Sequence, residues 1–484
     1  MLPTPTSFHF GAPPADSRHA ARLIAALVSG GDGRIRLDAQ GRNQYHASAT
    51  PSDAIAYDSS TINSISHHAF RALMDQWGNR LDGPFSATDY AEGLDVVRKR
   101  LAAWIGLSDP SCAEIVFAAS GTDLEYVGLA AAWDGRPLTA VLLGRDEVGS
   151  GCIHSATAHF FDTETATGAH VVAQTAIDPA FAGTQLIHVA VRDAGGKPHA
   201  SAAIAAELSL HIEGAAAHGR RAVVHVIHGS KSALALPELS DVERLAAAYG
   251  DTMTIVVDAC QLRVAPATVR RYLALGCVVL MTGSKFVGGP PFCGFALLPA
   301  KLRYRVRPLP SGFRRLAYRA EWPARWPGAK KLHARGNFGL LLRLQAALIE
   351  MERFAALSEA RVSHVAARFD RHVERLINQL ELAEVAGTGA RCLATETLRT
   401  LDLSARWPDC DFEAARTIHG RIARHARQWL GREIRVGQPV KTHPLGNGRM
   451  AGTLRLSLSM PLIVEMTELN DDALNERLDN DLSL

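Results

Sequence analysis

Residues 277–294 read CVVLMTGSKFVGGPPFCG. A short Val/Leu-rich run stops at small residues, presents one lysine, Lys285, and passes into Gly-Gly-Pro-Pro. Glycine and proline together hold a backbone in a course that few other residues follow. A solvated surface lysine needs no such setting, whereas a lysine that must hold a partner in one pose does. The run before it, CVVLMTG, lacks polar alternation, which is how a strand buried on both faces of a mostly parallel sheet reads.

Six other runs share that character: EIVFAAS (114–120), LTAVLLG (138–144), QLIHVAV (185–191), RAVVHVIH (221–228), MTIVVDA (253–259) and FCGFALLP (292–299). Helical patterns precede them, SISHHAFRALMDQW and YAEGLDVVRKRLAAWIG, and others lie between them. Strand–helix alternation predicts an α/β architecture with crossover helices. Near Phe338 the pattern changes to a long helix, NFGLLLRLQAALIEMERFAAL. Helix, strand (TETLRTLDLS), helix (FEAARTIHGRIARHARQWLG) and strand (GTLRLSLSM) follow. The expected organisation is an N-terminal arm over 1–65, irregular with one short helix up to about Asp53, a large sheet domain over 66–336 and a smaller C-terminal α+β domain over 337–484.

The chain has 484 residues, 47% of them hydrophobic, with net charge +3. That is ample for a large core and gives no general argument for nucleic-acid or membrane binding. Seven cysteines, Cys112, Cys152, Cys260, Cys277, Cys293, Cys392 and Cys410, include no CxxC pair. This argues against a disulfide framework or a zinc knuckle and fits a reducing cytoplasm. The segment ARLIAALVSGG reads as an amphipathic helix ended by glycine, and no apolar run is long enough to span a bilayer.

Asp258 ends the strand TIVVDA, 27 residues before Lys285, with one strand between them. Ligands of open α/β sheets gather at the carboxyl ends of strands, so this acid and this lysine can face one ligand from two sides. Pyridoxal 5'-phosphate (PLP) wants that pair: a lysine for a Schiff base, and a carboxylate for the pyridine nitrogen. Its phosphate wants the backbone N–H groups of a helix start. EIVFAASGTDLEYVGLAAAW supplies one, a strand that turns at Ser120-Gly121-Thr122 into a helix. Gly121 permits close approach and Thr122 adds a hydroxyl. Singly, these are an ordinary surface lysine, an ordinary N-cap and an ordinary strand-end acid; their order is what points to PLP.

With those motifs the chain resembles the fold-type I PLP-dependent enzymes, and within them the class V aminotransferase group, which includes cysteine desulfurases and kynureninases. The likeness runs from about Tyr57 to Ser459 and rests on YDSSTINSIS, FAASGTDLEYVGLA, VDACQ, TGSK, ARGNFGLL and GTLRLSLS. The resemblance implies that Lys285 forms the Schiff base and shuttles a proton, and that Asp258 pairs with the ring nitrogen. Gln261 would donate to the ring's phenolic oxygen. Gly121, Thr122 and Thr282 would bind phosphate, with Asn337 reaching across from a second subunit of a homodimer. Arg455 would grip the substrate carboxylate. HVIHGSKSALALP would pass near the cofactor, with His228, Ser230 and Lys231 as candidates and His228 placed at the substrate.

Two departures stand out. Ser284 replaces the histidine the group has before its lysine, and Val148 stands where many members stack a histidine on the ring, leaving Val148 or His154 for that place. The group includes aminotransferases and lyases alike, so transfer of an α-amino group is the leading expectation, and a lyase, a decarboxylase or a carbon–carbon bond-forming enzyme is the alternative. A desulfurase would need a mobile cysteine near REIRVGQPVKTHPLGNGRM, which has none; Cys410 lies earlier and reads as structural. The loop from Val440 to Met450, rich in Gly, His and Asn, reads as a lid or a surface hairpin. Residues 301–336 hold eleven Lys/Arg and one acid, Glu321. They read as a solvated or interface segment, or as a rim that draws in an acidic amino acid. The expected partner is an amino acid, with no nucleic acid and no membrane.

Overall fold

The computed structural model describes residues 15–60, 63–107, 109–387 and 397–482. Thr61 and Ile62 of the YDSSTINSIS segment, and Cys392, lie outside the described residues. The strands, in chain order, are β1 (Ile55–Tyr57), β2 (Ala113–Ala118), β3 (Leu138–Leu143), β4 (Gln185–Val189), β5 (Arg221–His228), β6 (Ala235–Leu236), β7 (Met253–Asp258), β8 (Val278–Thr282), β9 (Gly294–Pro299), β10 (Ala383–Glu384), β11 (Leu398–Asp402), β12 (Ile434–Val436) and β13 (Thr453–Ser457).

An eight-stranded sheet runs β2-β9-β8-β7-β5-β3-β4, with β6 paired to β5. Its centre is parallel, and β9 runs antiparallel to both β8 and β2. Two reversals restore direction, so the carboxyl ends of β2, β8, β7, β5 and β3 share one edge. Register places Asp258 beside Ile227 on one side and Leu280 on the other. All seven apolar runs read in the sequence are strands of this sheet, and its central strands are buried along their length. Helices cover both faces, as a parallel sheet requires.

Helix ends follow local chemistry. Ser86 and Asp89 form a reciprocal capping box at the start of helix Ala87–Ile105, which Gly106 ends in the left-handed conformation. The helix Phe338–Ala355 packs against helices Ala15–Leu27, His67–Trp77, Ala87–Ile105 and Met460–Thr467. It therefore belongs to the wall behind the lysine as much as to the C-terminal region.

Two small sheets complete the architecture: β10-β11-β13, antiparallel, and the parallel pair β1-β12. The second ties the end of the arm to the C-terminal region through a strand the sequence reading did not include. Residues 55–57 pair with 434–436, and Asp58 bridges to Ser457. A three-residue strand is too short to show a period, which is why the pattern missed it. Helices Met460–Thr467 and Asp471–Leu482 were likewise absent from the sequence reading.

Candidate active site

A cavity of about 310 Å³ opens at the shared carboxyl edge of the main sheet. That is the size of a small-ligand site. Ser120, Gly121, Thr122, Asp258, Thr282, Lys285 and Arg455 all contribute to its lining.

At one end, β2 passes through Ser120 into helix Gly121–Ala132. The Ser120 hydroxyl accepts the Asp123 N–H at 3.2 Å and caps the helix. The first-turn N–H groups of Gly121 and Thr122 have no acceptor inside the helix. A Cβ at Gly121 would stand 3.0 Å from Cys260 Sγ and 3.4 Å from Thr282 Cγ2, so a larger residue would crowd this corner. Thr282 donates its hydroxyl to the Cys260 carbonyl at 2.7 Å.

Arg34, from the N-terminal arm, reaches this corner unannounced by any sequence pattern. Its guanidinium is held by Asp32 (2.8 and 2.6 Å) and donates to Ser120 Oγ at 3.1 Å. It lies 5.0 Å from the centroid of Phe161 and 5.4 Å from that of Phe292. Burial opposes its charge, but the Asp32 carboxylate more than offsets this and holds the group above its ordinary pKa.

Lys285 is half-buried at the floor. Its carbonyl accepts the Gly288 N–H at 2.9 Å and Asn63 Nδ2 at 2.6 Å, which fixes the stem's origin. Gly288 has φ +77°, and a Cβ there would meet Pro461 at 2.5 Å. A Cβ on Gly283 would meet Ala347 Cβ at 2.4 Å, so helix Phe338–Ala355 presses directly on the lysine turn. Asp258 Oδ1 accepts the Cys260 N–H at 2.9 Å. Ser284, where the resembling enzymes have histidine, lines the cavity.

At the other end Arg455, from β13, is buried. It donates to the carbonyls of Gln438 (2.6 Å), Ser60 (3.2 Å) and Lys231 (3.2 Å). Burial lowers its pKa to about 10. Lys231, in the turn after β5, also lines the cavity, and burial followed by the Arg455 charge lowers its pKa to about 8.

Three expected residues are placed elsewhere. Gln261 lies behind the wall, its amide donating to Ser60 O at 2.9 Å. Asn337 is a buried helix cap: it accepts the Leu340 N–H at 3.0 Å and donates to Gly30 O at 2.8 Å. Its amide thus makes one donated and one accepted bond within its own chain. His228 turns from the cavity to Tyr272, 3.0 Å from its hydroxyl, and burial lowers its pKa to about 4. Neither Val148 nor His154 lines the cavity; Cys152 does, two residues from His154. None of residues 301–336 lines it either. Arg303 and Arg325 pair with Glu114 and Arg305 with Asp251, so the rim reading gives way to ion-paired surface. The stretch 438–450 forms a hairpin closed by a Pro444–Met450 bridge, with Gln438 and Pro439 at the cavity.

Among solved structures the chain is similar to a cystine C-S lyase, C-DES, in complex with cysteine persulfide, at 16% identity, covering 90% of this chain and 98% of that one, with TM-score 0.55. A cysteine desulfurase from Thermococcus onnurineus NA1 matches at 16% identity over 88% and 95%, TM-score 0.54. A pyridoxamine-pyruvate aminotransferase from Mesorhizobium loti matches at 15% over 90% and 94%, TM-score 0.50. The fold is that of the fold-type I PLP-dependent enzymes. No family model matches the chain, and no curated protein does. Among the described residues no helix is long and apolar enough to cross a membrane, and no cluster of side chains could hold a metal ion.

Proposed function

We propose that this chain is a PLP-dependent enzyme that acts on the α-amino group of an amino acid, and that it transfers that group to an oxo acid. The observation that carries the reading is the meeting of Lys285, Asp258 and the open first turn of helix Gly121–Ala132 in one cavity, with a buried arginine, Arg455, across from them. The fit of the cofactor rests on the donor set and on the corner that a Cβ at Gly121 would crowd.

Bound there, PLP supplies a carbonyl carbon for an amine and a ring that withdraws electrons from the substrate. The residues of this chain do the rest. Gly121, Thr122 and Arg34 would hold the phosphate through N–H, hydroxyl and guanidinium donors, with Ser120 positioning Arg34. Asp258 would keep a proton on the ring nitrogen. Thr282 fixes the strand end that faces the phosphate, and Gln261 supports the segment at Ser60. Lys285 would hold the cofactor through its amine and would move a proton at the substrate Cα. Arg455 receives the substrate carboxylate and so sets which bond at Cα faces the lysine. A homodimer is part of the proposal, with phosphate contacts made in cis by Arg34 rather than in trans by Asn337.

A second reading, cleavage on the β-carbon side, is favoured by the C-S lyase and the cysteine desulfurase among proteins of this fold. Desulfuration through an enzyme thiol draws no support from the cavity. Cys152 and Cys260 line it, but burial raises both thiols and keeps them protonated. Cys410 is packed with Leu403, Ala415 and Leu454.

The deciding experiment mixes the purified holoenzyme with single amino acids and no oxo acid. One equivalent of oxo acid followed by arrest supports amino-group transfer. Many turnovers releasing ammonia, carbon dioxide or a cleaved side chain replace it with the lyase reading.

A further inference from the structure

The charges around the cavity do not balance for a simple substrate. Its lining carries four cationic side chains, Arg34, Lys231, Lys285 and Arg455, against one carboxylate, Asp258. Arg34 has Asp32 beside it and faces the phosphate corner. On the function proposed above, Lys285 is consumed by the cofactor and Asp258 by the ring nitrogen. Arg455, which is buried, and Lys231, which is partly exposed, remain as two cations lining the same cavity, where one carboxylate would answer only one of them.

Lys231 is built into this position. Its N–H donates to Glu147 O at 3.1 Å, and its own carbonyl accepts Arg455 Nη1 at 3.2 Å. The flanking turn closes through Gly229 and Ser230 N–H to Leu234 O (2.9 and 3.0 Å). Its ammonium donates to the Asp146 carbonyl at 3.3 Å and forms no salt bridge among the described residues. The nearby acid, Glu147, is already engaged by Arg192 (3.3 Å), Ser230 Oγ (2.7 Å) and Ser232 Oγ (2.6 Å). An anion entering the cavity can pair with this partly exposed ammonium, which lines the wall beside Arg455.

We propose that Lys231 and Arg455 form a two-cation seat, so that the substrate is an amino acid bearing a second carboxylate on its side chain. Arg455 takes the α-carboxylate and Lys231 the distal one. The selectivity arises because a monocarboxylate makes the Arg455 contact alone, whereas a dicarboxylate adds a charge-assisted contact to Lys231.

The test is calorimetric titration of the purified protein with glutarate and with butyrate, which carry two carboxylates and one and have no amine to react. Cofactor content is measured on the same samples. Wild type should bind glutarate about tenfold or more tightly than butyrate, the value of one charge-assisted contact. Lys231→Met should lose that preference and bind butyrate as wild type does, while Lys231→Arg should keep it. Thermal melts establish that both variants are folded. Equal or absent binding of the two acids by wild type, or a preference that survives in Lys231→Met, would overturn the inference. A preparation that takes up no PLP would sink the proposed function instead, and the ligand preference is read independently of it.

Discussion

At the phosphate end of the cavity most polar groups come from strand ends of one sheet: Ser120 and Gly121 after β2, Asp258 at the end of β7, Thr282 at the end of β8 and Lys285 just beyond it, with Arg34 added from the arm. At the carboxylate end they come from stretches far apart in the chain. The Ser60 carbonyl receives both Gln261, 201 residues away, and Arg455, 395 residues away. The first end is, apart from Arg34, a property of the sheet. The second exists only when the arm, the turn after β5 and β13 have all met. Substitutions should therefore separate into those that spoil cofactor retention and those that spoil substrate binding.

The largest effect should come where the two ends share one atom. Lys285→Ala should reduce turnover by at least about 10³-fold. Borohydride reduction of the wild-type protein should fix the cofactor to the peptide carrying Lys285, and the variant should carry no such label. Retained activity would end the comparison altogether. Next, Arg455→Gln should raise KM for the amino acid by about 10–100-fold, the loss of a charged contact, while the cofactor absorbance of the resting protein stays. Loss of cofactor with substrate affinity intact would reverse the assignment of ends.

Arg34→Gln should do the opposite. PLP affinity should fall by about tenfold in equilibrium dialysis, with pyridoxal, which has no phosphate, bound as before. Equal losses for both ligands would mean that Arg34 acts through the fold and not on phosphate. The smallest effect belongs to Asn337→Ala. It should cost ~1 kcal/mol in denaturant unfolding as a lost helix cap, with PLP affinity unchanged. A fall in PLP affinity there would restore the cross-subunit contact that its placement argues against.

The same division explains what could be read from the residues alone. Seven of the eight strands of the main sheet announced themselves as apolar runs, as strands of a covered sheet do, while β6, two residues long, did not. Lys285, Asp258 and the Ser120–Gly121–Thr122 turn followed, because strand ends fix where their neighbours point. Arg34 was illegible: Asp32 caps a three-residue turn at 33–35, and nothing local says that this turn stands over β2. Asn337 and His228 were misplaced for a related reason. A sequence position shows that a polar side chain is near a site but not which way it turns. Asn337 turned to its own helix start, and His228 to Tyr272. Cys152 opens a four-residue helix after β3, too short for periodicity to carry information.

The strap formed by residues 55–60 has a consequence for biosynthesis. β1 pairs with β12, and Ser60 receives Arg455, so segments near the start and near the end of the chain must meet before the carboxylate end exists. On the ribosome the main sheet can be assembled, and its helix start can offer N–H donors, while β13 is still unmade. The nascent protein would then be able to recognise a phosphorylated cofactor before it could discriminate among amino acids, and selectivity would be the last property the chain acquires.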